Sequence, residues 1–404
     1  MSEIYDVLII GGGPGGLAAG IYGSRARLKA AIIEKGRLGG QAASTEEMEN
    51  YPGFFEESTG PGIMDQFAAH AAHFGTKNIR GLVTGLELSG EIKKVILKNG
   101  EQLLCRAVIL APGAEPRTLN IKGEGKLRGK GVSYCATCDA DFYEDLDVIV
   151  VGNGDAAIEE AMFLSKFAGT VTIIVIHDEG ILDCNRASAE KAFGNPKFKW
   201  MWSSVLDEII GEDLVESVVI KNIKTGELTE METSGVFFFV GTVPKTEFLQ
   251  GKVALDEFGY IITDDLMETD VPGVYGVGDA RAKYLRQVVT AASDGAIAAV
   301  ACEKYLAEME TFREQVLMSK VPVLLAFWSP MDEKSITAVS YLEKAAEAAG
   351  GKVKLHKIDT YRNKKTASMY DVKTIPSALL LKDGQVKGRL EGGFTLGDVE
   401  RLIV

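Results

Sequence analysis

The chain has 404 residues, 46% apolar and 25% charged, and a net charge of −13 from 44 basic and 57 acidic side chains. This composition excludes a disordered or coiled-coil chain, and the acidic balance argues against nucleic acid as the main partner, because phosphate binding needs a basic face. Five cysteines (105, 135, 138, 184 and 302) are too few and too scattered for a disulfide scaffold. The longest dense apolar run, residues 235–243, is about half what a membrane span needs. The opening MSEIYDVLII lacks a basic segment and a cleavage site. A cytoplasmic location with no membrane partner is expected.

In chain order, a strand over residues 5–10 runs straight into Gly11-Gly12-Gly13-Pro14-Gly15-Gly16 and a helix over 17–27. A second strand, 30–33, ends in Glu34. This is a complete βαβ opening with G-x-G-x-x-G and an acid at the right distance. The glycines let the backbone turn tightly and approach a pyrophosphate at the helix N-terminus, and Glu34 can accept from adenosine ribose hydroxyls. The same grammar returns at strand 148–151, the turn Gly152-Asn153-Gly154-Asp155-Ala156-Ala157, helix 158–166 and strand 171–176, ending in His177-Asp178-Glu179. One such turn is weak evidence for a dinucleotide site. Two in full strand–turn–helix context are strong, against the bland alternative of glycine-rich turns without ligands.

Between the two lies Cys135-Ala136-Thr137-Cys138-Asp139. Two thiols separated by two residues can close a small disulfide, and a turn lowers one thiol's pKa. A zinc half-site is the alternative, but no second CxxC or His pair lies nearby in sequence. Asp139 can supply or take the proton that thiol–disulfide exchange requires, or serve only as a helix cap. His70 and His73 share a helix face without a third ligand, Cys105 and Cys302 read as core thiols, and residues 237–239 (Phe-Phe-Phe) read as a buried strand.

A third block follows a helical linker at 311–319. Strand 321–327, helix 335–349, strand 353–358, helix 364–370, a hairpin of 378–381 and 386–390 turned at Asp383-Gly384, and a last helix from Leu396 give βαβαββα in about 85 residues, a small α/β domain. Residues 320–404 carry 14 basic and 10 acidic side chains, net +4, against 30 and 47, net −17, in the rest. That shift supports a boundary near 320.

These runs resemble the low-molecular-weight thioredoxin reductase family of flavoproteins. The matching segments are IIGGGPGGLAAGIYGSRA (9–26), GGQAASTEEMENYPGF (39–54), LAPGAEPR (110–117), YCATCDADFY (134–143), VVGNGDAAIEEAMFL (150–164), FVGTVPKTEFL (239–249), GVYGVGDAR (273–281) and LRQVVTAASDGAIAA (285–299). The resemblance implies two Rossmann-like domains. The first is FAD-binding, in two parts (1–117 and 244–310), and the second, 118–243, carries pyridine nucleotide and redox disulfide. It implies FAD at Gly11, Gly13, Pro14 and Gly16, with Glu34 on the ribose, Gln41 and Asn50 near the flavin, Gly278 and Asp279 on the ribityl–pyrophosphate, and Arg286, Gln287 and Val288 at the isoalloxazine. It also implies Cys135–Cys138 as the redox disulfide, Asp139 as its acid/base, a thioredoxin-like protein as partner, and a homodimer. Pro112 departs from the family's usual Thr, with only a local effect expected. Residues 320–404 resemble thioredoxin, with Pro376 as the cis residue, but Asp332 and Ser335 stand at the two cysteine positions. This domain therefore cannot relay electrons by disulfide exchange, which needs a thiolate. Docking or scaffolding is what remains.

The second turn (Gly152, Gly154, Asp155, Ala156) retains a nucleotide-binding shape, yet family members that use NADPH present arginines after the His, where this chain has Asp178 and Glu179 after His177, with Arg186 alone downstream. Two carboxylates repel a 2′-phosphate, whereas one can bond a 2′-hydroxyl. NADH is expected over NADPH. The alternative is a ferredoxin-fed reductase that has lost the nucleotide. A non-enzymatic scaffold is the third reading, opposed by the intact CATCD. Finally, Cys138 and Gly152 lie 14 residues apart and share a domain, so nucleotide and disulfide cannot both reach one flavin at the ~3–3.5 Å that reaction requires. Residues 118–243 are therefore expected to rotate on connections near Pro116-Arg117 and Thr242-Val243-Pro244, as the family does.

Overall fold

A computed structural model describes residues 3–44, 48, 50–54, 59–361 and 364–404, without the side chains of 364, 365 and 368. Residues 45–47 and 49 of the run 39–54 lie outside the described residues. The chain is mixed α/β and divides into two compact units, Met1–Cys302 and Glu303–Val404.

The first unit holds two sheets. In one, the strands run in the order Lys77–Arg80, Ala30–Glu34, Ile4–Ile10, Gln102–Leu110, Lys93–Leu97 and Val83–Glu87, and Val274–Gly276 also pairs with Gln102–Leu110. The nine-residue strand accommodates both neighbours. Its first half pairs antiparallel with 93–96 and its last three residues pair parallel with Val274–Gly276. The returning strand thereby delivers Gly278 and Asp279 beside the Gly11 turn at the carboxyl end of the sheet, where open α/β sheets bind ligands. The second sheet is parallel, in the order Phe198–Met201, Thr170–Ile174, Asp147–Val151, Gly235–Phe238 and Val132–Ser133. Both faces are covered. Val148 and Val150 pack into one core and Ile149 and Val151 into another, so a strand of period two reads as an unbroken apolar run. Residues 237 and 238 are buried in their strand as expected.

The antiparallel meander Ser204–Ile210, Ser217–Asn222 and Leu228–Glu232 was not resolved by sequence reasoning. Both dinucleotide helices begin earlier than expected, at Pro14–Arg25 and Asp155–Leu164, inside their glycine turns. Gly13 and Gly154 take extended backbone as the residue before the first helical turn. A short antiparallel pair joins Ala114–Pro116 to Thr242–Pro244, which are the two connections expected to act as a hinge.

The second unit has a four-stranded sheet in the order Lys354–Asp359, Val323–Trp328, Ser377–Lys382 and Gln385–Glu391. Val323, Leu325 and Phe327 face one core and Leu324 and Ala326 the other. The peptide bond Ile375–Pro376 is cis, as expected. Of residues 311–319, 311–317 are helical, and they are more than a connection. The helix Val288–Phe312 runs into a π turn, Arg313–Leu317, and Phe312 and Val316 are buried in the second unit's own core.

Candidate functional site

The first glycine turn divides into positions that pack and one that stays open. A Cβ on Gly11, at φ +105°, would lie 2.1 Å from the Ala111 carbonyl oxygen, and one on Gly16 would lie 1.9 Å from that of Gly11. At Gly13 the nearest atom would be 3.9 Å away, which leaves room for a pyrophosphate in front of the helix that Pro14 opens. The Glu34 carboxylate ties this turn together, accepting from the Gly12 amide at 2.8 Å and the Gly36 amide at 3.0 Å.

Asp279 sits on the turn after Val274–Gly276, and its Oδ1 is sealed from solvent with no hydrogen-bond partner. Burial pushes its carboxyl up, against the pull of Lys283 and Arg286. A buried acceptor without a donor is costly unless a ligand supplies one, and a hydroxyl-bearing ribityl chain is such a donor. The residues present therefore fit FAD. Arg286 donates to the Asp279 carbonyl at 3.3 Å and lies 4.1 Å over the Tyr260 ring. Val288 starts the long helix and Gln41 donates to the Ala114 carbonyl.

Cys135 and Cys138 form a disulfide, with Cα atoms 5.3 Å apart. Cys135 stands just before the short helix Ala136–Asp139. Gln287 Nε2 donates to the Thr137 hydroxyl at 3.1 Å and lies 3.7 Å from the Cys135 sulfur. Asn50 donates to Gln287 Oε1 at 3.2 Å and reaches the Thr137 carbonyl at 3.5 Å. Residues expected at the flavin thus meet the sulfur pair directly. Ser133, which sequence reasoning missed, donates to Asp139 Oδ2 at 2.5 Å and accepts from the Cys135 amide at 3.1 Å. Burial pushes the Asp139 carboxyl up, partly offset by Ser133. Also missed beside the sulfur pair is Glu160, a carboxyl raised by burial and drawn down by the Ala136 and Thr137 amides. Neither carries a motif signal, since each acts through the local fold.

Three comparisons bear on this arrangement. A family model described as pyridine nucleotide-disulphide oxidoreductase matches residues 5–295, and one described as thioredoxin matches 304–403. A thioredoxin reductase of Peptoclostridium acidaminophilum is 50% identical over 312 residues, 76% of this chain and 98% of its own. The chain belongs to the pyridine nucleotide-disulphide oxidoreductase family, among its thioredoxin reductases. The crystal structure of thioredoxin reductase from Streptococcus pyogenes MGAS5005 is 41% identical, with a TM-score of 0.72 over 76% of this chain and 100% of that one. The Lactococcus lactis thioredoxin reductase in its FR conformation is 42% identical, with a TM-score of 0.54 over 75% and 99%.

As thioredoxin reductases use FAD and a pyridine nucleotide, the second turn is the nucleotide's expected place. Gly152, at φ +131°, must be glycine, for a Cβ would come within 2.5 Å of the Phe239 carbonyl oxygen, whereas a Cβ on Gly154 would meet nothing within 4 Å. Ala156 is exposed on the helix that starts there. The segment after His177 folds back over this turn. The Asp183 amide donates to the Asn153 carbonyl at 3.1 Å, its carboxylate accepts from Asn153 at 3.2 Å and pairs with His177 at 2.9 Å, and Asp155 accepts from the Asn185 amide and side chain, each at 2.7 Å. Asp178, exposed at the surface, has two partners of its own. Ser203 donates to it at 2.9 Å and Lys224 bonds it at 2.5 Å. Lys224 arrives from the turn of the unforeseen meander. Arg186 pairs along its own helix with Glu190 at 2.8 Å.

Cys105 and Cys302 are fully buried, and burial pushes the Cys105 thiol up to about 12. His70 and His73 pack on Phe74 at ring distances of 5.3 and 5.1 Å. Among the described residues no His, Cys, Asp and Glu group could hold a metal, and no helix is long and apolar enough to cross a membrane.

Proposed function

We propose that this enzyme takes electrons from NADH in preference to NADPH and delivers them through FAD and Cys135–Cys138 to the disulfide of a separate thioredoxin-like protein, as a cytoplasmic homodimer. A bound flavin supplies two-electron transfer between nicotinamide and sulfur. The observation that carries the reading is the junction of Asn50, Gln287, Thr137 and Cys135, which brings the sulfur pair against residues expected at the flavin. Asp139, held by Ser133, is the group that exchanges a proton with the departing thiolate.

The short pair 114–116 with 242–244 closes both connections of the nucleotide domain at one place, as a hinge requires. The contrast in TM-score between the Streptococcus and Lactococcus structures, 0.72 against 0.54 at 41% and 42% identity, supports two arrangements of the same domains. For the donor, Asp178 is held below the ordinary carboxylate range by Lys224 and Ser203, and is ionised. Paired with Lys224, the Asp178 carboxylate keeps oxygens that can accept from a 2′-hydroxyl, and the exposed Glu179 beside it adds the negative charge that disfavours a 2′-phosphate. The homodimer is supported by Val289, Ile297 and Val300, exposed apolar residues on one face of the long helix.

The thioredoxin-like unit lacks thiols and acts as a docking module for the partner. Truncation after Glu310 should raise KM for the preferred partner several-fold and leave flavin reduction unchanged. Unchanged kinetics with every candidate partner would remove the docking role. The donor is tested by anaerobic mixing with NADH, NADPH or reduced ferredoxin while following the flavin absorbance. Fast bleaching by NADH is expected. Bleaching by ferredoxin alone would overturn the donor assignment, and no yellow protein after reconstitution with FAD would overturn the whole reading.

A further inference from the structure

Asp294 lies in the long helix, two turns beyond Gln287, and its side chain is only 7% exposed. A buried carboxylate must be paired and hydrogen-bonded to persist as a charge. Asp294 Oδ2 accepts from the Gly278 amide at 3.0 Å and from Lys283 Nζ at 2.9 Å, with Arg281 Nε at 3.4 Å. Lys283 is equally buried and also donates to the Thr290 hydroxyl at 3.3 Å. That hydroxyl oxygen accepts from the Gln287 amide at 3.2 Å. One carboxylate therefore reaches both working arms of the site. Through Gly278 it fixes the turn that carries Asp279. Through Lys283 and Thr290 it supports the backbone of Gln287, whose side chain meets the sulfur pair.

The charges give this network a second consequence. Two cations, Lys283 and Arg281, converge on Asp294, which holds the amide of Gly278, the residue just before Asp279 with its buried, unpartnered Oδ1. Were Asp294 uncharged, Lys283, which already acts on the Asp279 carboxyl through space, would be free to pair with it.

We propose that Asp294 is a positioning residue that holds Lys283 away from Asp279, keeping the Asp279 oxygen available to the cofactor and the Gln287 arm in register with Cys135–Cys138. The proposal rests on the FAD reading of the first turn. Asp294 touches neither cofactor nor sulfur; it acts through Gly278 and Lys283.

The test uses the full chain, stripped of flavin and titrated with FAD by fluorescence quenching, with the flavin midpoint potential measured by spectroelectrochemistry. D294N should weaken FAD binding at least tenfold and move the potential in the positive direction, because the site loses one negative charge and a more positive site favours the more negative reduced flavin. D294N/K283M, which removes the stray cation, should recover most of the FAD affinity, and D294E should stay near wild type. A merely structural role would lower the unfolding temperature of each variant without separating D294N from the double variant. Equal FAD affinity and potential in wild type and D294N would overturn the proposal, as would a double variant no better than the single. If D294N does not fold, the double variant alone decides it: near-wild-type affinity supports the proposal and a tenfold loss overturns it. A wild-type chain that binds no FAD would instead refute the underlying reading, and the proposal with it.

Discussion

Two turns of this molecule share a plan and differ in chemistry. In the first unit Cys135 and Cys138 close a disulfide at the start of the helix Ala136–Asp139. In the second, Asp332 and Ser335 stand three residues apart at the start of Glu333–Ala348, and the Asp332 carboxylate accepts from the Ser335 amide at 2.8 Å and hydroxyl at 2.6 Å. A hydrogen-bonded N-cap has taken the place that two thiols occupy in the thioredoxin pattern. The cap satisfies helix amides and stabilises the fold, but it has no bond that electrons can open. Shape and redox function are thus separable at a helix N-terminus.

The most drastic way to test that separation is to write the second turn into the first. C135D/C138S should abolish disulfide turnover while leaving FAD bound and still bleached by the nucleotide, as read by stopped flow. Residual turnover would mean that another group carries the electrons. A smaller effect is expected at Asp139. D139N should slow reduction of the partner disulfide by about 10²-fold, the scale of a lost general acid, with flavin reduction unchanged. Its pH signature has a definite sign. The folded chain binds this proton more tightly than the unfolded one, because burial raises the carboxyl above its ordinary value of 3.8. Stability from this group therefore falls as pH rises from the ordinary value through the raised one, and D139N should flatten that part of an unfolding-temperature profile. The mildest break is D332A, which removes the cap and should cost the second unit about 1 kcal/mol. It would be seen as faster amide exchange in residues 333–348, with the first unit's flavin signal unmoved.

The same contrast explains what the sequence could reveal. Both glycine turns were legible because their constraint is steric: Gly11, Gly16 and Gly152 sit where a Cβ would strike a backbone oxygen. The sulfur pair was legible because its spacing is chemical. Ser133, Glu160, Lys224 and Asp294 were not, because each acts through partners that the fold supplies. Ser133 and Glu160 flank the sulfur turn, Lys224 arrives on the turn of a meander outside both glycine motifs, and Asp294 pairs with cations from the preceding loop. The packing of the helical linker at 311–319 was hidden for a related reason. Phe312 and Val316 occur in a helical, charged stretch whose burial depends on the neighbouring sheet.

The most direct test of the account is a count of reducing equivalents during anaerobic titration of the wild-type chain and of C138S. The wild type should take up the flavin's electron pair and one further pair, with two new thiols appearing at residues 135 and 138, whereas C138S should take up the flavin's pair alone and fail to reduce any partner. Equal uptake by the two chains, or partner reduction by C138S, would contradict it.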